Sequence, residues 1–106
     1  MNLTTSNNGS KYTVCINESL TALNSPELQD ILLKIAEDAD ELILDLSGMD
    51  YTSSAGLRVL LRAQQIMDEK DADMRVRGVS DMTMEIFEET GFVNLLNIED
   101  FEGFDN

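Results

Sequence analysis

The stretch Glu41-Leu42-Ile43-Leu44-Asp45-Leu46 constrains the fold of this chain more than any other. Its apolar residues run together instead of alternating with polar ones. That is the pattern of a strand buried on both faces, as in a parallel sheet. Parallel strands need crossover connections, and the sequence supplies one on each side. Upstream, Ser25 is placed to cap a helix, Pro26 to take its first position and Glu27 to meet its positive end. Leu28, Ile31, Leu32 and Ile35 then recur at helical spacing, with Asp30, Lys34 and Glu37 on the wet side. This helix is predicted to end near Ala36–Asp38. Downstream, Val59, Leu60, Ala63, Ile66 and Met67 line one side of a second helix running from about Ala55 to Glu69, while Arg58 and Arg62 share another face. Strand, helix and strand in this order imply right-handed crossovers.

The flanking segments read as smaller elements. Asn7-Asn8-Gly9-Ser10 is a turn cluster, because Asn and Gly tolerate positive φ. A weak polar strand near Asn2–Thr5 precedes it. After it, Tyr12, Val14 and Ile16 alternate with Lys11, Thr13 and Cys15, so Cys15 is expected on the face opposite the main apolar set. Met74-Arg75-Val76-Arg77 reads as a short strand stopped by Gly78. A third helix is predicted over about Asp81–Glu89, capped by Ser80, with Met82, Ile86 and Phe87 inward. Gly91 suits a left-handed C-cap, and Leu95, Leu96 and Ile98 a last short strand or extended segment. The expectation is one domain over residues 1–100 and an acidic, frayed tail over 101–106.

Composition narrows the functional classes. A chain of 106 residues fits one small domain. A single cysteine excludes an internal disulfide framework and any Cys-rich zinc site. The absence of histidine removes the usual triads, imidazole bases and His-containing metal sites, so no enzyme activity, metal or cofactor is expected. Seven basic against 21 acidic residues give a net charge of −14. Such a chain gains nothing from counterion release on nucleic acid and is repelled by anionic membranes. No apolar run reaches membrane-spanning length, and Met1-Asn2-Leu3-Thr4-Thr5 does not resemble a signal peptide, so the expected location is cytoplasmic. No basic residue follows Arg77. The acidic C-terminal segment is either a solvated face or a surface that steers a basic partner.

Thr52-Ser53-Ser54 falls where a strand, a short loop and the second helix meet. The first turn of a helix has free N–H groups and a positive dipole end. One hydroxyl there caps the helix, and three exceed what a cap requires. The alternatives are structural capping, an anion site, or a serine that is itself phosphorylated. A serine hydrolase has no histidine to activate its nucleophile, and Gly56 stands alone where a phosphate loop needs a glycine-rich run.

The stretch from Leu42 through Asp45-Leu46-Ser47-Gly48-Met49-Asp50-Tyr51 and Thr52-Ser53-Ser54-Ala55-Gly56-Leu57 to Leu61 resembles the signature of STAS domains of the bacterial anti-sigma-factor antagonist type. Ser25-Pro26-Glu27-Leu28 upstream and Thr90-Gly91-Phe92 downstream extend the resemblance over nearly the whole chain. The resemblance implies an α/β fold: a single STAS domain, a mixed sheet of four or five strands, and three or four helices packed mainly on one side. It also implies partner switching. The unphosphorylated antagonist binds an anti-sigma factor of serine-kinase ATPase type and so releases the sigma factor. Phosphorylation of a serine at the start of the second helix ends that complex, and a serine phosphatase resets the cycle. The alternative within the family is a non-phosphorylated scaffold subunit of a signalling or lipid-transport complex.

Two departures from the family pattern stand out. The usual phosphoacceptor directly precedes the glycine, and Ala55 occupies that position here. Ser54 matches the first serine of the family's pair, and Ser53 stands where an aspartate is usual. The phosphorylation candidates are therefore Ser54 and then Ser53. Upstream, Glu18-Ser19-Leu20-Thr21 replaces the family's Gly-x-Leu-Asp. The partner surface implied is Asp50, Thr52, Ser53, Ser54, Ala55, Gly56 and Leu57, with Arg58 and Arg62 on the helix. Those arginines pair either with a partner or phosphate, or with acids of the same helix. The expected assembly is a monomer or weak dimer.

Overall fold

A computed structural model describes residues 1–99, and the acidic tail expected to fray lies outside the described residues. The chain enters as a hairpin of β1 (Leu3–Asn8) and β2 (Lys11–Ile16), joined through Gly9 at φ +65°. Helix α1 (Ser25–Asp38) leads to β3 (Glu41–Asp45), and α2 (Ser54–Glu69) leads to β4 (Asp73–Arg77). Helix α3 (Asp81–Thr90) ends at Gly91 in the left-handed conformation, and a single 3-10 turn (Phe92–Asn94) follows. The sheet order is β1-β2-β3-β4, antiparallel in the first pair and parallel in the other two. The last segment adds one parallel bridge, Val76 to Ile98, where Val76 donates to the Asn97 carbonyl and Glu99 donates back to that of Val76. The mixed sheet of four strands, with a rudimentary fifth, agrees with expectation.

One face of the sheet carries the core. Val14, Ile16, Leu42, Leu44, Met74 and Val76 point to it and pack with Leu28 and Leu32 of α1 and with Leu60, Ala63 and Met67 of α2. The centre of β3 is buried on both faces, as its apolar run implies, but the opposite face is buried in a different way. Ile43 is only 9% exposed, yet it stands outside the core cluster, flanked in register by Thr13 and Arg75. Around it the open face is a grid of ion pairs. Arg75 reaches Glu41 at 2.5 Å, Glu99 at 3.0 Å and Asp73 at 3.1 Å, and Arg77 reaches Asp45 at 3.2 Å. The apolar run alone did not reveal this one-sidedness, because neighbouring side chains bury Ile43 without a second helical layer. Cys15 lies half-buried on the open face, opposite Val14 and Ile16.

Two local assignments change. Ser25 is not the N-cap of α1; it is the first helical residue, and Asn24 takes the cap position. The chain already turns at Thr21, whose carbonyl accepts from both the Ser25 N–H and Oγ, and whose N–H donates to Asn24 Oδ1 at 2.8 Å. In α3, Met82 points outward and is 62% exposed, while Thr83 and Phe87 are buried. The hydroxyls of Ser80 and Thr83 both donate to the Met49 carbonyl at 3.1 Å, and this sets the helix rotation. Among the described residues, no helix is long and apolar enough to cross a membrane.

Candidate functional site

The turn after β3 begins at Asp45. Its carboxylate accepts from the Ser47 N–H at 3.0 Å and the Ser47 hydroxyl at 2.6 Å, which bends the chain out of the strand. Burial acts to raise the Asp45 carboxyl, but the bonds from Ser47 and Arg77 outweigh it and hold the group below the usual carboxylate range. The loop then runs beside the segment after β2. Leu20 donates to the Tyr51 carbonyl at 3.0 Å, Ser53 donates to that of Leu20 at 2.8 Å, and Leu20 and Thr52 form a parallel bridge. Asp50 N–H donates to Ser19 Oγ at 3.3 Å. Two loops at the C-terminal ends of the parallel strands are thus tied into one surface.

Each hydroxyl of Thr52-Ser53-Ser54 has a distinct position. Thr52 is buried in the bridge. Ser53 is the N-cap of α2, and its Oγ accepts from the Gly56 N–H at 3.2 Å. Ser54 is the first helical residue and is exposed. Ala55 is half-buried, and Gly56 and Leu57 are buried. Gly56 is there because nothing larger fits. A Cβ at that position stands 2.5 Å from Thr52 Oγ1 and 2.6 Å from Leu20 Cβ. Of the residues singled out in the sequence, Asp50, Ser54, Arg58 and Arg62 offer their side chains to solvent. The side chains of Thr52 and Leu57, being buried, serve packing instead of contact.

Arg58 lies one helical turn beyond Ser54, on the same side of α2. Among the described residues it forms no ion pair, whereas Arg62 stands 3.9 Å from Glu69 of its own helix. Arg58 also borders a groove of about 390 Å³ between the starts of α1 and α2, lined by Ser25, Pro26, Gln29, Asp30 and Ala55. Two apolar residues flank this surface that sequence reasoning did not single out. Leu23 is 93% exposed in the loop after β2, and Tyr51 is 51% exposed in the loop after β3. The available signal was an apolar side chain inside each of two polar loops. Only the Leu20–Thr52 bridge shows that the loops carrying them run side by side at the hydroxyl cluster. Large apolar side chains left in water next to a polar cluster suit a protein contact better than a small-molecule cleft.

A family model described as Mlab, STAS domain matches residues 3–97. An anti-sigma-B factor antagonist of Staphylococcus aureus (strain NCTC 8325 / PS 47) is 25% identical over 101 residues, 94% of each chain. An anti-sigma factor antagonist structure from Mycobacterium paratuberculosis superposes with a TM-score of 0.80 at 19% identity, over 93% of this chain and 86% of that one. The anti-sigma factor antagonist SpoIIAA, in its unphosphorylated form, gives 0.77 at 10% identity, over 98% and 99%. The two structures share the fold, and the family match covers the sheet, all three helices and the α2 N-terminus. This chain belongs to the STAS domain family.

Proposed function

We propose that this protein is an anti-sigma-factor antagonist that binds an anti-sigma factor of serine-kinase ATPase type in the cytoplasm, releases a sigma factor, and is switched off by phosphorylation of Ser54. The Staphylococcus aureus relative bears the antagonist name. The observation that carries the switch is the division of labour between adjacent serines. Ser53 Oγ is occupied in capping α2, whereas Ser54 stands exposed at its first position. A kinase needs a reachable hydroxyl, and Ser54 supplies one. A phosphate there sits at the positive end of a 16-residue helix, so the fold tolerates it. It adds a charge of about −1.5 to −2 to a contact surface. Leu23 and Tyr51 provide apolar anchors, and Asp50 and Arg58 provide a polar rim. The protein then acts as ligand and phosphoacceptor, and a serine phosphatase restores it.

The test has two parts. Peptide mass spectrometry on protein from its native cells, with phosphatase inhibitors present, is expected to find phosphate on Ser54. Ser54→Glu is expected to weaken binding to the anti-sigma factor by about tenfold or more, while Ser54→Ala binds like the wild type. Equal affinity of both variants overturns the switch. A second reading, a non-phosphorylated scaffold subunit, is favoured by Ala55 at the position before Gly56, where the family's acceptor serine is usual. Unmodified protein in growing and stressed cells, together with a constitutive stoichiometric complex, establishes that reading instead.

A further inference from the structure

The two edges of the sheet are treated differently. Along β4 the chain's own Asn97–Glu99 segment covers the backbone, with Asn97 Nδ2 also donating to the Met74 carbonyl at 3.0 Å. Asp73, Arg75, Arg77 and Glu99 add charge to that edge. Along β1 neither device is present among the described residues. β1 pairs only with β2. It contains no Pro, Lys or other charged residue, and the first ten residues carry no charged side chain in a chain of net charge −14. Lysine, proline and bulges are the usual protection of an exposed edge against pairing with another strand.

The register shows which backbone groups are on offer. Asn17 N–H donates to the Asn2 carbonyl, while the Asn2 N–H goes to the Glu18 carboxylate, so Asn2 occupies a hydrogen-bonding position of the ladder. Such positions alternate in an antiparallel ladder. Thr4, Ser6 and Asn8 therefore turn their N–H and C=O groups toward β2, while Leu3, Thr5 and Asn7 turn theirs outward. We propose that β1 is a self-association edge, at which a second copy of this chain pairs antiparallel about a two-fold axis at Thr5. In that register Thr5 faces Thr5 of the second copy, and Leu3 faces its Asn7. All three outward-facing residues then find partners, and Thr4 lies across from Ser6, a favourable hydroxyl pair. A second copy is favoured over a charged partner strand because Leu3–Asn8 carries no charged side chain, and the ionised groups nearby, Glu18 on the Asn2 N–H and Glu27 on the Met1 ammonium, lie at the start of the strand, away from the Thr5 axis. The remaining long-range repulsion is screened by salt.

Sedimentation velocity on the full chain, over a wide concentration range at low and high salt, tests the proposal. The expected result is a reversible dimer that tightens as salt rises. In amide exchange, Leu3, Thr5 and Asn7 are expected to gain protection with concentration. Thr5→Pro removes one outward donor per copy without touching the β2 ladder, and is expected to weaken the dimer about tenfold or more. Thr5→Lys places like charges across the axis at an exposed position and is expected to do the same, so the result does not depend on how the proline variant folds. A chain that stays at 11.8 kDa at the highest concentration and salt overturns the proposal. So does a dimer that survives both substitutions, or one that salt dissociates.

Discussion

Replacing Gly56 with alanine sets two effects of opposite sign against each other. In a helix, Gly→Ala ordinarily stabilises by up to about 1 kcal/mol, because glycine loses more backbone freedom. At this position the new methyl meets Thr52 Oγ1 at 2.5 Å, Leu20 Cβ at 2.6 Å and Leu20 Cδ1 at 2.9 Å. Leu20 Cβ cannot swing away by a rotamer change. Its backbone is held by the bonds from Leu20 to Tyr51 and from Ser53 to Leu20. Overpacking of this kind costs about 1–3 kcal/mol, and three contacts under 3.0 Å put this position in the upper part of that range, at about 2–3 kcal/mol. The expected net loss is about 1–2 kcal/mol, which for a domain of this size lowers Tm by roughly 5–10 °C. Urea unfolding followed by circular dichroism measures it. Thr52→Ala removes the closest atom, so the cost of Gly56→Ala is expected to be smaller in that background, with a coupling of at least about 0.5 kcal/mol. A Gly56→Ala variant as stable as the parent refutes the reasoning, because it means the α2 start slides away from the Leu20–Thr52 bridge at no cost.

The two adjacent serines are expected to separate in the same assay. Ser53→Ala loses the cap on Gly56 N–H and about 1 kcal/mol, while Ser54→Ala changes stability by less than about 0.5 kcal/mol. Asp45 carries a pH signature. Its folded value lies below its unfolded one, so its contribution is present in full above about pH 4 and is lost as pH falls through the depressed folded value. The stability gap between wild type and Asp45→Asn is expected to close on acidification below about pH 4, as measured by urea midpoints, and a gap unchanged at low pH argues against the assignment.

Much of the site was legible in the residues because its local parts are contiguous. The cap at the start of α2, the helix itself and the left-handed Gly91 each depend on neighbours within a turn or two. A side chain three or four positions away is enough to make each of them. Which of the three hydroxyls does which job was not legible. Ser53 and Ser54 have the same chemistry, and only the helix start separates a capping serine from an exposed one. The rotation of α3 departs from its apolar spacing for a similar reason. Met82, Ile86 and Phe87 have acceptable spacing, but Ser80 and Thr83 bind the Met49 carbonyl from a distant loop and rotate Met82 into solvent.

The sequence by itself determined the order of elements, the class of fold, and the narrow chemistry available to a chain with no histidine and a charge of −14. Periodicity, turn residues and charge are local or additive properties, and they survive without knowledge of partners in space. The resemblance to STAS domains already implied helices mainly on one face of the sheet, but tertiary structure alone decided that Ile43 lies among ion pairs on the other. It also joined the loops that carry the exposed Leu23 and Tyr51 through the Leu20–Thr52 bridge, and left β1 as the uncovered edge. These outcomes depend on contacts between residues far apart in the chain, and a pattern of neighbours carries no record of which distant segments meet.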